Sequence, residues 1–205
     1  MPKQTFYNLP EAKRERIMQA AAVEFSQRNV QNANLSNIVS AADISRGSLY
    51  QYFVDKEDIY VYLFQILRAQ RAAYTQPAFA LYKKAPFLRF FEAFYVLDSQ
   101  YLLNNATDLA IGTCCYGSGD LVSRSIVEEI QLQYAALFLE AIEQDKKQGI
   151  INGEVESQAL ADLCVHFVTD MFIFQNVSRK ISLEDIQSRV RELLRIIEHG
   201  VSCDN

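Results

Sequence analysis

Residues 44–57 read Ile44-Ser45-Arg46-Gly47-Ser48-Leu49-Tyr50-Gln51-Tyr52-Phe53-Val54-Asp55-Lys56-Glu57, and the spacing within this run sets the fold. Ser45 can satisfy an early helical N–H with its hydroxyl, and Leu49 and Phe53 lie four apart on one helical face. A short helix over Arg46 to Phe53 follows. Upstream, Asn34 caps a helix carrying Leu35, Ile38, Val39 and Ala42, which stops at Asp43, a residue that tolerates a left-handed turn. Two short helices joined by Ala42-Asp43-Ile44-Ser45, with Ile44 filling the elbow, make a helix-turn-helix. Asp55 caps a further helix with the apolar stripe Ile59, Leu63, Ile66 and Leu67. Ahead of the pair, a helix opens at Pro10, carries Ile17, Ala21 and Phe25 on one face and ends near Arg28-Asn29, with Phe6 and Leu9 folding back as apolar anchors.

With Leu49 and Phe53 facing the core, Arg46, Gly47, Ser48, Tyr50, Gln51 and Tyr52 are left to face a groove. A Gln amide can pair with adenine, Ser and Arg reach base edges or phosphate, glycine permits close backbone approach, and Tyr hydroxyls donate to phosphate oxygens. Lys56, at the start of the next helix, adds a phosphate contact beside that helix's N-terminal amides. Together with the capping residues Asn34 and Ser45 these form the candidate DNA-binding set. The competing reading is a helical hairpin whose tyrosines are exposed by chance.

Arg16-Ile17, Ala20-Ala21, Phe25, Ile38, Ala42, the run from Ile44 to Phe53, and Lys56-Glu57 resemble the N-terminal signature of the TetR family of bacterial transcriptional regulators, over about 50 of the 205 residues. Asp43 departs from the glycine that many members carry there. The resemblance implies an all-α protein, with an N-terminal three-helix helix-turn-helix DNA-binding domain at 1–56 and a larger helical-bundle domain for ligand binding and dimerisation at 57–205. It further implies that the last two helices form a four-helix interface and that the middle helices enclose a ligand cavity. The expected function is a repressor that binds a pseudo-palindromic operator as a homodimer and is released by a small hydrophobic ligand. One short recognition helix reads too few base pairs alone, which gives the dimer a mechanical basis.

Composition agrees with a helical protein. Half of the 205 residues are hydrophobic, and only seven Gly and four Pro stand against thirteen Phe and eleven Tyr, which disfavours an all-β fold. The net charge of −5 argues superficially against a nucleic-acid partner, but residues 1–60 carry seven basic and seven acidic side chains, so the acidity lies wholly beyond them. No apolar run is long enough to span a membrane and no signal region follows Met1, so the chain is expected in the cytoplasm. Cys114, Cys115, Cys164 and Cys203 lack metal-ligand spacing and are expected to be reduced.

In the larger part, Phe87, Phe90, Phe91, Phe94 and Tyr95 recur at helical spacing, as do Val127, Ile130, Tyr134, Leu137, Phe138 and Ala141 in a long helix closing at Lys146, Lys147 and Gly149. Phe87, Phe91, Phe94, Tyr95, Tyr116, Tyr134 and Phe138 are the candidate ligand-binding residues, with a packed aromatic core as the equal alternative. The helix around 157–176 is apolar on more than one side. Val165, Phe172 and Ile173, with Val190 and Leu194 of the last helix, are the candidate dimer interface.

Catalysis is not expected, because two histidines and the lack of a Gly-x-Ser-x-Gly leave few ways to pair a nucleophile with a base. Gly117-Ser118-Gly119-Asp120 lacks the lysine of a phosphate loop and reads as a loop ahead of a helix. Asp162, His166 and Asp170 align on one helical face, but a lone histidine between carboxylates is a weak ligand set, and no metal or cofactor is expected. Thiol sensing at Cys114 or Cys115 is disfavoured against burial. The rival from another class is a helical small-molecule-binding or carrier protein whose N-terminal unit is only an interaction module, without salt-sensitive DNA affinity.

Overall fold

The computed structural model describes residues 1–169 and 182–199, and among them every regular element is helical. The elements are α1 (Gln4–Tyr7), α2 (Glu11–Gln27), α3 (Leu35–Ala41), α4 (Arg46–Tyr52), α5 (Lys56–Thr75), a 3-10 turn (Gln76–Ala80), α6 (Phe87–Asn104), α7 (Ala106–Ser118), α8 (Leu121–Lys147), α9 (Ser157–Thr169) and α10 (Leu183–His199). The chain packs as two units. A head unit comprises Met1–Gln70 with Asn105–Glu128, and a body unit comprises Arg71–Asn104 with Glu129–Asn205.

The head is built around side chains that helical spacing brings together. Ile17, Ala21 and Phe25 of α2, Ile38 of α3, Leu49 of α4, Phe53, and Ile59 and Tyr60 of α5 are all buried. Burying each large apolar side chain stabilises by roughly 1.5–3 kcal/mol. Pro10 stands at the N-cap of α2, Asn34 Oδ1 accepts the Ser36 N–H at 2.9 Å, and Asp55 Oδ1 accepts the Asp58 N–H at 2.8 Å. The α3–α4 turn is made by Asp43 in the left-handed region at φ 50°, as a short polar side chain permits. Arg16 Nε then donates to the Ala42 carbonyl at 2.8 Å and fastens the turn to α2.

Helix α7 belongs to this unit although it lies far along the chain. It packs against α2, and the Cys114 thiol approaches the Ser26 carbonyl at 3.8 Å. Compactness therefore groups the residues differently from a division at residue 56. Gly119 ends α7 at φ 65°, and Asp120 caps α8 by accepting the Ser123 N–H at 2.9 Å. The Gly117 to Asp120 segment thus serves as a helix stop and start.

In the body, α6 buries one broad face along its whole length, from Phe87, Phe90 and Phe91 to Tyr101 and Leu102. Phe138 of α8 is the hub, its ring centroid 5.6 Å from Phe87, 5.5 Å from Phe91, 6.4 Å from Phe94 and 5.7 Å from a stacked Tyr134. Asp145 Oδ2 accepts the Phe87 N–H at 2.6 Å and closes the first turn of α6. Arg71 and the fully buried Asp98 form a two-point ion pair. α8 ends with Gly149 at φ 71°, the left-handed stop that its glycine allows. Ile186, Val190 and Leu194 give α10 its buried face, and α10 packs on α6 with Arg191 Nε donating to Glu92 at 2.8 Å.

Candidate nucleic-acid interface

Helix α4 is the element on which the candidate residues converge. Ser45 Oγ accepts the Ser48 N–H at 3.0 Å and lies 2.8 Å from the Ser48 hydroxyl, so both serines close the first turn. Arg46, Gly47, Tyr50 and Gln51 are exposed and Ser48 is half-buried. A Cβ added at Gly47 would meet only Ser45 Oγ, at 3.9 Å, an ordinary contact. Packing inside the chain therefore does not require glycine there, and its bare backbone faces outward. Asn34 is exposed at the start of α3, its side chain engaged as the cap.

Tyr52 is a correction. Its side chain does not join the outward face but is 6% exposed, with its ring 6.3 Å from that of Phe6. The reason is helical geometry: Leu49, Tyr52 and Phe53 stand at i, i+3 and i+4, which places all three on the face that meets the core. Lys56 also has a defined partner, its Nζ donating to the Gln31 carbonyl at 2.6 Å and bridging the start of α5 to the loop before α3.

Sequence reasoning placed Phe6 as a fold-back anchor but missed Lys3 and Thr5, which close the other end of α4. The Lys3 N–H donates to the Tyr52 carbonyl at 2.8 Å, Lys3 Nζ donates to the Tyr50 carbonyl at 2.8 Å, and the Thr5 hydroxyl donates to the Gln51 carbonyl. Phe6 of α1 anchors this segment, with ring centroids 4.9 Å from Phe53 and 5.6 Å from Tyr62. The signal was present as an apolar Phe6 close to two side-chain donors, but nothing local in the sequence says which helix they meet.

The candidate ligand residues divide between the units. Phe87, Phe91, Phe94, Tyr95 and Phe138 are buried in the body and Tyr134 is half-buried there, whereas Tyr116 is half-buried in the head. Burial, followed by the nearby Asp98 charge, pushes the Tyr95 hydroxyl above its ordinary range. Elsewhere in the body a cleft of about 340 Å³ opens between α6 and α10, lined by charged groups that include Arg89, Glu92, Arg191, Arg195 and His199. None of the named aromatics lines that cleft.

Of the candidate interface residues, Val165, Val190 and Leu194 are buried within the chain itself, while Phe172 and Ile173 lie outside the described residues. Leu163 of α9 and Ile196 of α10 are instead exposed, at 44% and 47%. His166 is exposed, Asp162 accepts from the Gln158 side chain at 2.8 Å, and Asp170 falls outside the described residues. Among the described residues no three His, Cys, Asp or Glu side chains gather as a metal site would need, and no helix is long and apolar enough to cross a membrane. Burial pushes the Cys115 thiol up to about 11 and the Cys164 thiol up to about 12, and raises Cys114 as well. At these three positions burial favours the thiol over the thiolate. Cys203 lies outside the described residues.

Residues 17–63 match the family described as bacterial regulatory proteins, tetR family. The fold is shared with a TetR family transcriptional regulator from Chloroflexus aurantiacus, at 22% identity and TM-score 0.71, covering 98% of each chain. It is shared with the transcriptional regulator FadR from Bacillus subtilis in complex with stearoyl-CoA, at 17% identity and TM-score 0.73, covering 92% of this chain and 99% of that one. It is also shared with a cysteine mutant of the TetR family regulator CifR complexed with 26-base-pair operator DNA, at 16% identity and TM-score 0.70, covering 89% of this chain and 95% of that one.

Proposed function

From a head whose residues 17–63 match the tetR family of bacterial regulatory proteins, we propose that the chain is a DNA-binding transcriptional regulator. It acts as a non-enzymatic repressor in the cytoplasm, holding a pseudo-palindromic operator as a homodimer. The observation that carries this is the face of α4: Arg46, Gly47, Tyr50 and Gln51 are exposed together on a short helix whose two ends are both fastened. Arg and Gln are the side chains that pair bidentately with guanine and adenine, and a bare Gly47 backbone lets the helix sit deep in a major groove. Asn34, Ser45 and Ser48 hold the two helix starts, and Lys56 sets the start of α5 beside them. The likeness to CifR, which has been seen on operator DNA, supports the same use of this fold.

A homodimer follows from the two-fold logic of half-sites. Its contact surface is the outward side of α9 and α10, where Leu163 and Ile196 leave apolar area in water. The effector is a hydrophobic small molecule taken up by the body, a reading favoured by the aromatic lattice around Phe138 and by the stearoyl-CoA that FadR binds. Because those rings touch one another, a ligand entering among them must part them, and that rearrangement is what can bias the head.

Selection of DNA from a random pool by the full chain, followed by footprinting, tests the reading. A protected pair of half-sites about one helical turn apart, with affinity falling steeply as salt rises, is expected. Retention of no sequence over bulk DNA overturns it.

A further inference from the structure

Helix α4 has seven residues, too few to stand alone in water, and any helix end leaves its last carbonyls without intrahelical partners. Its first turn is closed locally by Ser45. Its last three carbonyls, those of Tyr50, Gln51 and Tyr52, are all taken by a segment almost 50 residues away in sequence, through Lys3 and Thr5. The Lys3 ammonium also complements the negative end of the helix dipole. Tyr50 and Gln51 are the residues whose side chains point outward, so the clamp acts on the backbone of the very positions offered to DNA.

We propose that Lys3 and Thr5 are positioning residues for DNA reading. They fix the C-terminal turn of α4 so that the Gln51 and Tyr50 side chains meet a base and a phosphate in one register. The inference rests on the DNA-binding reading of α4 and adds to it a second layer of support outside the helix-turn-helix. A side chain that discriminates bases must be held to a fraction of an ångström, and hydrogen bonds to its own peptide group are the direct way to do so. Thr5 is the sharper case. Its hydroxyl carries no charge, so its loss leaves the electrostatic attraction to phosphate unchanged.

The test uses the full chain, with DNA selected by the wild type from a random pool. Thr5→Val should speed amide hydrogen exchange across α4 while leaving α2 unchanged. It should weaken binding to the selected site about threefold to tenfold and relax discrimination at the base pair read by Gln51. The salt slope should match the wild type, because no phosphate contact is lost. Thr5→Ser, which keeps the hydroxyl, should restore exchange, affinity and selectivity together, and Lys3→Arg should do so relative to Lys3→Met. Wild-type exchange, or wild-type affinity and selectivity, in Thr5→Val overturns the clamp while leaving the DNA-binding reading intact. A Lys3→Met protein with unchanged exchange and a salt slope smaller by about one assigns Lys3 to a phosphate and also overturns it. A wild type that selects no DNA overturns both.

Discussion

Glu24 and Asn34 stand ten residues apart and are joined by a 2.8 Å hydrogen bond from the Asn34 N–H to Glu24 Oε1. The other oxygen of the same buried carboxylate accepts from the Asn37 side chain at 2.8 Å and from Arg28 at 3.0 Å. One acid thus ties the end of α2 to the first turn of α3, where a negative charge is favoured. Burial alone would raise the Glu24 carboxyl, but the Asn34 N–H, the Asn37 amide and Arg28 outweigh it and hold the group below its ordinary 4.5.

Replacing Glu24 by Gln is expected to cost about 1–3 kcal/mol at neutral pH, since it removes a charged acceptor from three donors. The folded value lies below the unfolded one. The stabilisation is therefore fully present above about pH 4.5 and is lost as the pH falls through the folded value. Urea unfolding of wild type and Glu24→Gln between pH 7 and pH 3 should show the gap narrowing toward acid. A gap independent of pH would contradict the assignment.

The burial of Tyr52 separates two neighbours that sequence alone groups together. Tyr52→Phe should bind operator DNA as the wild type does, its hydroxyl having no place on the outward face. Gln51→Ala should lose about 1–3 kcal/mol against one particular base pair and little against others. Binding measured on single-base variants of the selected site distinguishes the two behaviours.

Charge on the exposed apolar positions should separate the protomers. Leu163→Glu and Ile196→Glu are expected to give folded monomers that no longer hold the operator, as read by sedimentation velocity and circular dichroism. Val190→Glu should unfold the body instead, because that side chain is only 3% exposed within one chain. Dimers persisting in both surface variants would move the interface elsewhere.

The buried Asp98 and the half-buried Arg71 form a pair whose halves depend on each other. Asp98→Asn takes the buried carboxylate away from Arg71 and should cost about 3 kcal/mol. Replacing both together, Asp98→Leu with Arg71→Met, should recover most of that loss. A double-mutant cycle on thermal unfolding reads the coupling directly, and additive losses would show the pair to be incidental.

Local chemistry was readable where a residue acts on its own neighbours. The caps at Asn34, Ser45 and Asp55, the left-handed turn at Asp43 and the glycine stop at Gly149 each follow from a side chain and the few residues beside it. Periodicity likewise gave the buried faces of α2, α6 and α10. What escaped depended on partners remote in sequence. Phe6 meets the Tyr52 ring that helical spacing turns inward, and Lys3 and Thr5 found their acceptors almost fifty residues on. Val165, Val190 and Leu194 are consumed by packing within the chain, which periodicity cannot distinguish from packing against a second copy.

The position of α7 has a consequence for how the protein is made. The face of α2 that α7 covers is synthesised nearly a hundred residues before its cover. At a translation rate of about 5–20 residues per second, the helix-turn-helix waits some seconds on the ribosome with that face of α2 uncovered. Nascent chains long enough to expose residues 1–70 but not 105–128 should remain protease-sensitive in α2. The same residues should become protected only once the start of α8 has left the exit tunnel.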